Sequence, residues 1–374
     1  MLTEHNSSSQ LHIALLLDSL AGGGAERVVL ELAKAFQVLG HRAEIISLQG
    51  RQEYDTPDGV NVHFVYPQRR VKLSRRRLQK QHVARLKSLI DSLERSHGKF
   101  DLFLSNLDET NYIVSQCELS PCYFVVHNAI LQTLNRAKKM GPFKYWRQKA
   151  WFKALNNQKL IAVSDGLKRE LASLKWFKPA AITRIYNPFD FDEIRTRADE
   201  PLEAPDNYVI HIGRFAKQKR HDLLFDAIHL VDDSTKLVCL GANVTAIQKL
   251  AVKKGVAHRV VTPGFEQNPY RWIQHAKCLV LSSDFEGFGN VLVEALCLGT
   301  PVVSTKCQHG PEEILTGDLS VGLVPLNDPE SLGRAINTAI EQPVVYDPQA
   351  LIQRFGHLSI ASQYLSLIEQ SRGE

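Results

Sequence analysis

Residues Ser282-Ser283-Asp284-Phe285-Glu286-Gly287-Phe288-Gly289-Asn290-Val291-Leu292-Val293-Glu294 set two glutamates eight positions apart around a glycine-rich turn. Before the turn, Cys278-Leu279-Val280-Leu281 reads as a buried strand; after it, Val291 to Leu298 reads as a buried helix. The N-terminus of such a helix carries partial positive charge and amides without intrahelical partners, which suits a phosphate. Glu286 lies just before that end and Glu294 about one turn inside it. A carboxylate beside a bound phosphate repels it unless aimed elsewhere, so sugar hydroxyls on either side of a diphosphate are the natural targets of both. Asn290 is a suitable N-cap, its side chain able to accept from a first-turn amide. Gly299 ends the helix and Pro301 bars its continuation.

Elements that can position such groups alternate along the whole chain. In the first half, apolar runs at Leu11 to Leu17, Ala43 to Leu48, Val62–Val65, Leu102–Leu104, Tyr123–Val126, Leu160–Val163 and Ile182–Ile185 are separated by helical patterns. The first run leads into Gly22-Gly23-Gly24 and a helix from about Ala25 to Leu39, closed by Gly40. A second series starts at Tyr208–Ile212 and continues at Lys236–Leu240, Arg259–Val261, Lys277–Leu281, Pro301–Ser304 and Val321–Val324. Strands separated by helices imply a parallel sheet with crossover helices, and near-continuous apolar strands imply a sheet covered on both faces. The 374 residues fit two such domains, and the polar, proline-bearing stretch from Asn187-Pro188 to Pro205 marks the link. Ligands of open parallel sheets sit at the carboxyl ends of the strands.

The run Gly264-Phe265, Asn268-Pro269, Glu286-Gly287-Phe288-Gly289-Asn290, Glu294-Ala295, Gly299-Thr300-Pro301-Val302-Val303 and Gly310-Pro311-Glu312-Glu313-Ile314 resembles the retaining glycosyltransferases of the GT-B type, in particular the nucleotide-sugar-dependent family 4. The resemblance implies an α/β fold: two Rossmann-like parallel-sheet domains facing a cleft, with a C-terminal helix returning to the first. Residues 1–188 would form the acceptor-side domain, 189–355 the nucleotide-sugar domain, and 356–374, with a helix at Leu358 to Gln370, the return. Gly213-Arg214-Phe215-Ala216-Lys217-Gln218-Lys219 matches the family's Gly-Arg-x4-Lys motif. Arg214 offers a planar fork and Lys219 a point charge to the departing diphosphate. Lys217 and Arg220 read as solvated neighbours. The resemblance assigns Glu294 to ribose hydroxyls, Glu286 to donor-sugar hydroxyls, and the backbone of Gly287, Phe288, Gly289 and Asn290 to the sugar or β-phosphate. His127, at a strand end, is similar to a donor-sugar-contacting histidine. Gly23 and Gly24 would face the donor phosphates; Arg27 stands where a dinucleotide-binding glycine pattern needs glycine, which argues against NAD. Ser164 and Asn187 match family strand ends and also suit caps or turns.

These assignments imply transfer of a sugar from a nucleotide diphosphate, UDP favoured over GDP, to a hydroxyl of a lipid-linked glycan in surface-polysaccharide or lipopolysaccharide synthesis. Alternatives are a GT-B transferase on a soluble acceptor, a GT-B nucleotide-sugar epimerase, and a catalytically silent sugar-nucleotide-binding subunit. No cofactor and no obligatory metal are expected: cationic side chains serve the diphosphate, and Asp190-Phe191-Asp192, though an Asp-x-Asp, lies in the link. Residues 1–190 hold 28 Lys+Arg against 17 Asp+Glu, and residues 191–374 hold 17 against 23. Arg69 to Lys87 carries nine Lys/Arg and no acid, and Arg136 to Lys153 carries seven interleaved with Phe143, Tyr145, Trp146, Trp151 and Phe152. Basic segments with aromatic residues fit an anionic membrane surface and also nucleic-acid phosphate. The donor equipment in the other half favours the membrane, and no nucleic acid is expected. The polar start, Met1 to Gln10, lacks a signal-peptide core and reads as a frayed lead-in. No run approaches the roughly 18 apolar residues of a membrane span. Six scattered cysteines form no CxxC pair. A cytoplasmic protein, peripheral on the inner face of the membrane, is the expectation.

Overall fold

The computed structural model describes residues 10–68 and 71–372. The polar lead-in at 1–9 and two members of the first basic stretch, Arg69 and Arg70, lie outside the described residues. Contacts divide the chain into two units: residues 1–162, 171–188 and 357–374, and residues 163–170 and 189–356. The grouping of 163–170 with the second unit has no counterpart in the sequence expectation.

The first unit is built on seven strands: β1 (His12–Leu17), β2 (Arg42–Gln49), β3 (Asn61–Tyr66), β4 (Leu102–Asn106), β5 (Cys122–Val126), β6 (Lys159–Ala162) and β7 (Ala181–Arg184). They lie in the order β3-β2-β1-β4-β5-β6-β7, every neighbouring pair parallel. All six residues of β1 are buried, as a strand covered on both faces requires. The helix Gly24–Val38 buries Val28, Val29, Leu32 and Phe36. The C-terminal helix His357–Arg372 belongs to this unit and packs against Gly24–Val38, with Tyr364 edge-on to Phe36. The Tyr123 hydroxyl donates to the Leu367 carbonyl, 3.3 Å away.

The second unit has six parallel strands: β8 (Tyr208–Ile212), β9 (Lys236–Leu240), β10 (Val260–Gly264), β11 (Cys278–Leu281), β12 (Val302–Thr305) and β13 (Leu323–Val324). Their order is β10-β9-β8-β11-β12-β13. Each sheet reverses its strand order beside its first strand, the arrangement that opens a ligand crevice at the carboxyl ends. Cys239, Cys278 and Cys297 are core residues, and all six thiols are free.

Two sequence expectations need correction. The stretch from Asn187 to Pro205 is not a plain link. Phe189 packs its ring against Phe288 and Phe355, and Phe191–Ala198 is a helix packed on the helices Tyr270–His275 and Asn290–Cys297. The Asp190 carboxylate caps that helix by accepting from the Glu193 amide at 3.0 Å, and Asp192 points to solvent beside Arg195. The helix after the glycine turn is capped by Gly289, at φ 101°, with no side-chain cap bond; Asn290 is its first residue. Its far end closes as the sequence implies. Gly299, at φ 73°, donates to Leu296 and Thr300 donates to Ala295, the paired bonds of a Schellman ending. Among the described residues no helix is long and apolar enough to cross a membrane.

Candidate active site

In the second unit, the loop after β8 is held by backbone contacts that tolerate no side chain. Gly213 donates to the Leu240 carbonyl, and a Cβ on Gly241 would sit 2.3 Å from the Gly213 oxygen. From this loop Lys219 reaches Glu286, Nζ to Oε1 2.6 Å, and the Ser283 hydroxyl donates to the same oxygen at 2.5 Å. The backbones are joined as well: Asp284 N donates to Gln218 O, Gln218 Nε2 to Phe285 O, and the Ser282 hydroxyl to Lys219 O. The cationic loop and the glutamate turn, more than 60 residues apart in sequence, are therefore one constellation. Lys219 has three donors, and Glu286 engages only part of that capacity. Arg214 is exposed, with no hydrogen-bond or ion-pair partner among the described residues.

Arg220 is not the solvated neighbour that the sequence suggests. Its guanidinium meets Asp222 at 3.0 Å, Asp284 at 2.7 Å and Asn327 at 2.5 Å, bracing the loop against the turn. These acceptors hold its proton more tightly than an ordinary arginine's. Lys217 stays exposed.

Glu294 is almost fully buried on the helix Asn290–Cys297. Gly287, Phe288 and Gly289 are buried. The Phe288 ring is committed to the core against Phe355, so any ligand contact it makes is through its backbone. Ser164 caps the helix Asp165–Ser173 by accepting from the Leu167 amide, and its hydroxyl donates to Gly287 O at 2.8 Å. Glu313, which the sequence offers only within Gly310-Pro311-Glu312-Glu313-Ile314, accepts from the amides of Asp165 and Gly166 at 2.8 and 2.6 Å. Gly310 is obligatory there, since a Cβ would fall 1.6 Å from the Phe288 oxygen at φ 93°.

The first unit carries its own polar groups at strand ends. His127 follows β5, and its Nε2 lies 2.9 Å from Asn106 Oδ1. Burial pushes its imidazole down to about 4. Gly23 is the N-cap of Gly24–Val38, and the Glu26 carboxylate folds back over it: a Cβ on Gly23 would lie 2.3 Å from Glu26 Oε2. That helix end thus meets its own carboxylate, a point the glycine pattern alone did not convey. Asn187 is buried at the end of the unit.

The same unit holds three acids that influence one another, Asp18, Asp108 and Glu109. The Asp18 carboxylate accepts from the Thr110 amide and hydroxyl at 2.7 and 2.5 Å, yet burial raises it to about 7. Burial likewise raises Asp108, which accepts from Gln148, to about 6, and it raises Glu109. For Asp18 the unfolded chain releases its proton near 4, while the folded chain keeps it to about 7. Stability associated with this group therefore falls as pH rises across that window. Asp18→Asn, which keeps an acceptor for Thr110, should raise the melting temperature relative to wild type at pH 8 and lose that advantage near pH 4.5. Thermal melts across that range check it; a difference independent of pH would contradict it.

Over 96% of the chain and the whole of the other chain, the fold is similar to Anabaena HepE solved with UDP and glucose, with TM-score 0.74 and 19% identity. It is also similar to WaaG, a glycosyltransferase involved in lipopolysaccharide biosynthesis, with TM-score 0.65 and 17% identity over 96% of this chain and 98% of that one. The fold is GT-B. The model of glycosyltransferase family 4 matches residues 22–193, and that of glycosyl transferases group 1 matches residues 192–354. Together they span nearly the whole chain, which belongs to the family 4 type of GT-B glycosyltransferases. Among its relatives is a Campylobacter jejuni N-acetylgalactosamine-N,N'-diacetylbacillosaminyl-diphospho-undecaprenol 4-alpha-N-acetylgalactosaminyltransferase, 26% identical over 88% of this chain and 90% of that protein. The lipopolysaccharide 1,6-galactosyltransferase of Escherichia coli is 30% identical over 43% of this chain and 46% of that protein.

Proposed function

We propose that this chain is a retaining glycosyltransferase that moves a hexosyl or N-acetylhexosaminyl group from a nucleoside diphosphate, UDP favoured, to a hydroxyl of a lipid-linked glycan in surface-glycan synthesis. The observation that carries the reading is the joining of Lys219 to Glu286 across the loops that follow β8 and β11, with the exposed Arg214 on the same loop as Lys219. Charge builds on the diphosphate as the glycosidic bond to it breaks, and fixed cations stabilise that charge most when they need not reorganise. Arg214 and Lys219 are those cations; Glu286 accepts from donor-sugar hydroxyls and Glu294 from ribose. The leaving phosphate oxygen takes the acceptor hydroxyl's proton as the new bond forms on the same face, which preserves the anomeric configuration. No metal is obligatory, because the cationic side chains meet the diphosphate. The relatives acting on undecaprenol-linked and lipopolysaccharide acceptors support the acceptor class.

The test is a panel of UDP- and GDP-sugars in the presence of EDTA, with undecaprenyl-diphosphate-linked glycans as acceptors, reading nucleotide release and glycolipid product. Transfer from a UDP-sugar with retained configuration is expected. Activity that appears only after adding magnesium or manganese contradicts the metal-free reading, and an inverted product contradicts the same-face mechanism.

Membrane docking belongs to the same proposal, with the protein peripheral on the cytoplasmic face. The helices Ile130–Lys139 and Pro142–Lys153 pack on each other, and Met140 in the turn between them (57%), Phe143 (91%) and Trp146 (64%) are exposed on a segment that also carries Lys139, Lys144 and Arg147. Trp151, grouped with these aromatics in sequence, is 7% exposed and stacks on Tyr112, so it adds nothing to membrane depth. Each cation near an anionic bilayer is worth about 1 kcal/mol, screened over about 8 Å at physiological ionic strength. Wild type should sediment with phosphatidylglycerol vesicles at low salt. Exchanging Phe143 and Trp146 for Ala with Lys144 and Arg147 for Glu should leave it in the supernatant. Wild type that stays soluble there, or that binds RNA more tightly, would contradict the membrane assignment.

A further inference from the structure

We infer that Asn106 is a positioning residue that fixes His127 as a neutral imidazole with its proton on Nε2, so that Nδ1 presents a lone pair and the ring can only accept a hydrogen bond from a sugar hydroxyl. The inference rests on the reading of His127 as a donor-sugar contact.

The Asn106 amide is buried at the last position of β4. Its Nδ2 faces two backbone carbonyls, Leu104 O at 3.0 Å and Leu16 O at 3.3 Å. Carbonyl oxygens only accept, so the opposite amide orientation would set oxygen against two oxygens. The orientation is thereby forced, and Oδ1 must face His127 as an acceptor. The nitrogen it meets at 2.9 Å, Nε2, must carry a proton. Burial disfavours the second proton, so near neutral pH Nδ1 is bare. No hydrogen-bond partner for Nδ1 is found among the described residues.

The consequence is a rule of recognition. A neutral imidazole of the other tautomer, or an imidazolium, would offer an N–H and would bind a carbonyl, a carboxylate or a hydroxyl alike. A bare Nδ1 requires a donor. The sugar position that meets His127 must therefore bear a hydroxyl or an N–H, and the enzyme should discriminate against a donor that is deoxy or carries a carboxylate there. Asn106 exerts this effect without touching the sugar.

The primary test needs no substrate. Selective ¹⁵N-histidine labelling, with His127 assigned by its loss in His127→Gln, reads the protonation of each ring nitrogen from its shift. At pH 7 we expect a protonated Nε2 and an unprotonated Nδ1 for His127. A protonated Nδ1, alone or in an imidazolium, overturns the inference, and because wild type is the sample the result does not depend on any variant folding. The secondary test compares kcat/KM for the accepted nucleotide sugar with its monodeoxy analogues. Wild type should lose on the order of tenfold for the analogue lacking the hydroxyl that His127 meets, and Asn106→Leu should largely erase that ratio while other deoxy positions keep theirs. An unchanged pattern in a folded Asn106→Leu protein overturns the positioning role. Failure of every nucleotide sugar to react would instead defeat the transferase reading and leave the tautomer measurement intact.

Discussion

Lys219→Ala and Arg214→Ala should each reduce turnover by on the order of 10²-fold or more, the scale of removing a fixed group that stabilises transition-state charge. The two should differ in stability. The Arg214 side chain is exposed and makes no hydrogen bond or ion pair among the described residues, so its loss should leave the melting temperature where it is. Lys219 neutralises Glu286 at 2.6 Å in a half-buried site, and its loss leaves that carboxylate with only the Ser283 hydroxyl among the described residues. A partly buried carboxylate without its cation is destabilising and would repel an incoming diphosphate. Lys219→Ala should therefore melt lower than wild type, and adding Glu286→Gln should restore part of the difference without restoring turnover. Wild-type turnover in either single variant, or identical melting of Lys219→Ala and wild type, would contradict these roles.

The second large effect separates the two glutamates. Glu294→Gln should weaken binding of the free nucleoside diphosphate, because that carboxylate is assigned to ribose. Glu286→Gln should cripple use of the full donor sugar and spare the nucleotide. The ion pair sharpens the expectation: replacing Glu286 releases the whole Lys219 charge toward phosphate, so affinity for the diphosphate should hold or increase. Calorimetry with nucleotide alone and kinetics with the donor make the comparison. Equal loss of nucleotide affinity in both variants would remove the division of labour.

What could be read from sequence followed from short-range physics. Strands such as Ile13-Ala14-Leu15-Leu16-Leu17 announce a doubly covered sheet by their unbroken apolar run. Gly299 announces its helix ending by its place and its tolerance of positive φ. What sequence did not convey depends on contacts between distant segments. No local pattern says that Lys219 will meet Glu286, that Arg220 will reach Asp284 and Asn327, or that Glu313 will cap the helix starting at Asp165. The glutamate motif and the cationic motif were visible separately; their union is a property of the folded sheet. The stretch after Pro188 looked like a link because it is polar, yet Phe189 and Phe191 anchor it in the second unit's core. In the basic helix Pro142–Lys153, composition alone does not distinguish Trp146, which faces solvent, from Trp151, which faces Tyr112.

The account centres on a diphosphate held by Arg214 and Lys219. The most direct measurement is isothermal titration calorimetry of UDP and GDP, in buffer containing EDTA, into wild type, Arg214→Ala and Lys219→Ala. The account predicts saturable one-to-one binding of UDP to wild type, tighter than GDP, and clearly weakened in both variants. Folded wild type that binds neither nucleotide, or affinity unchanged in both variants, would contradict it.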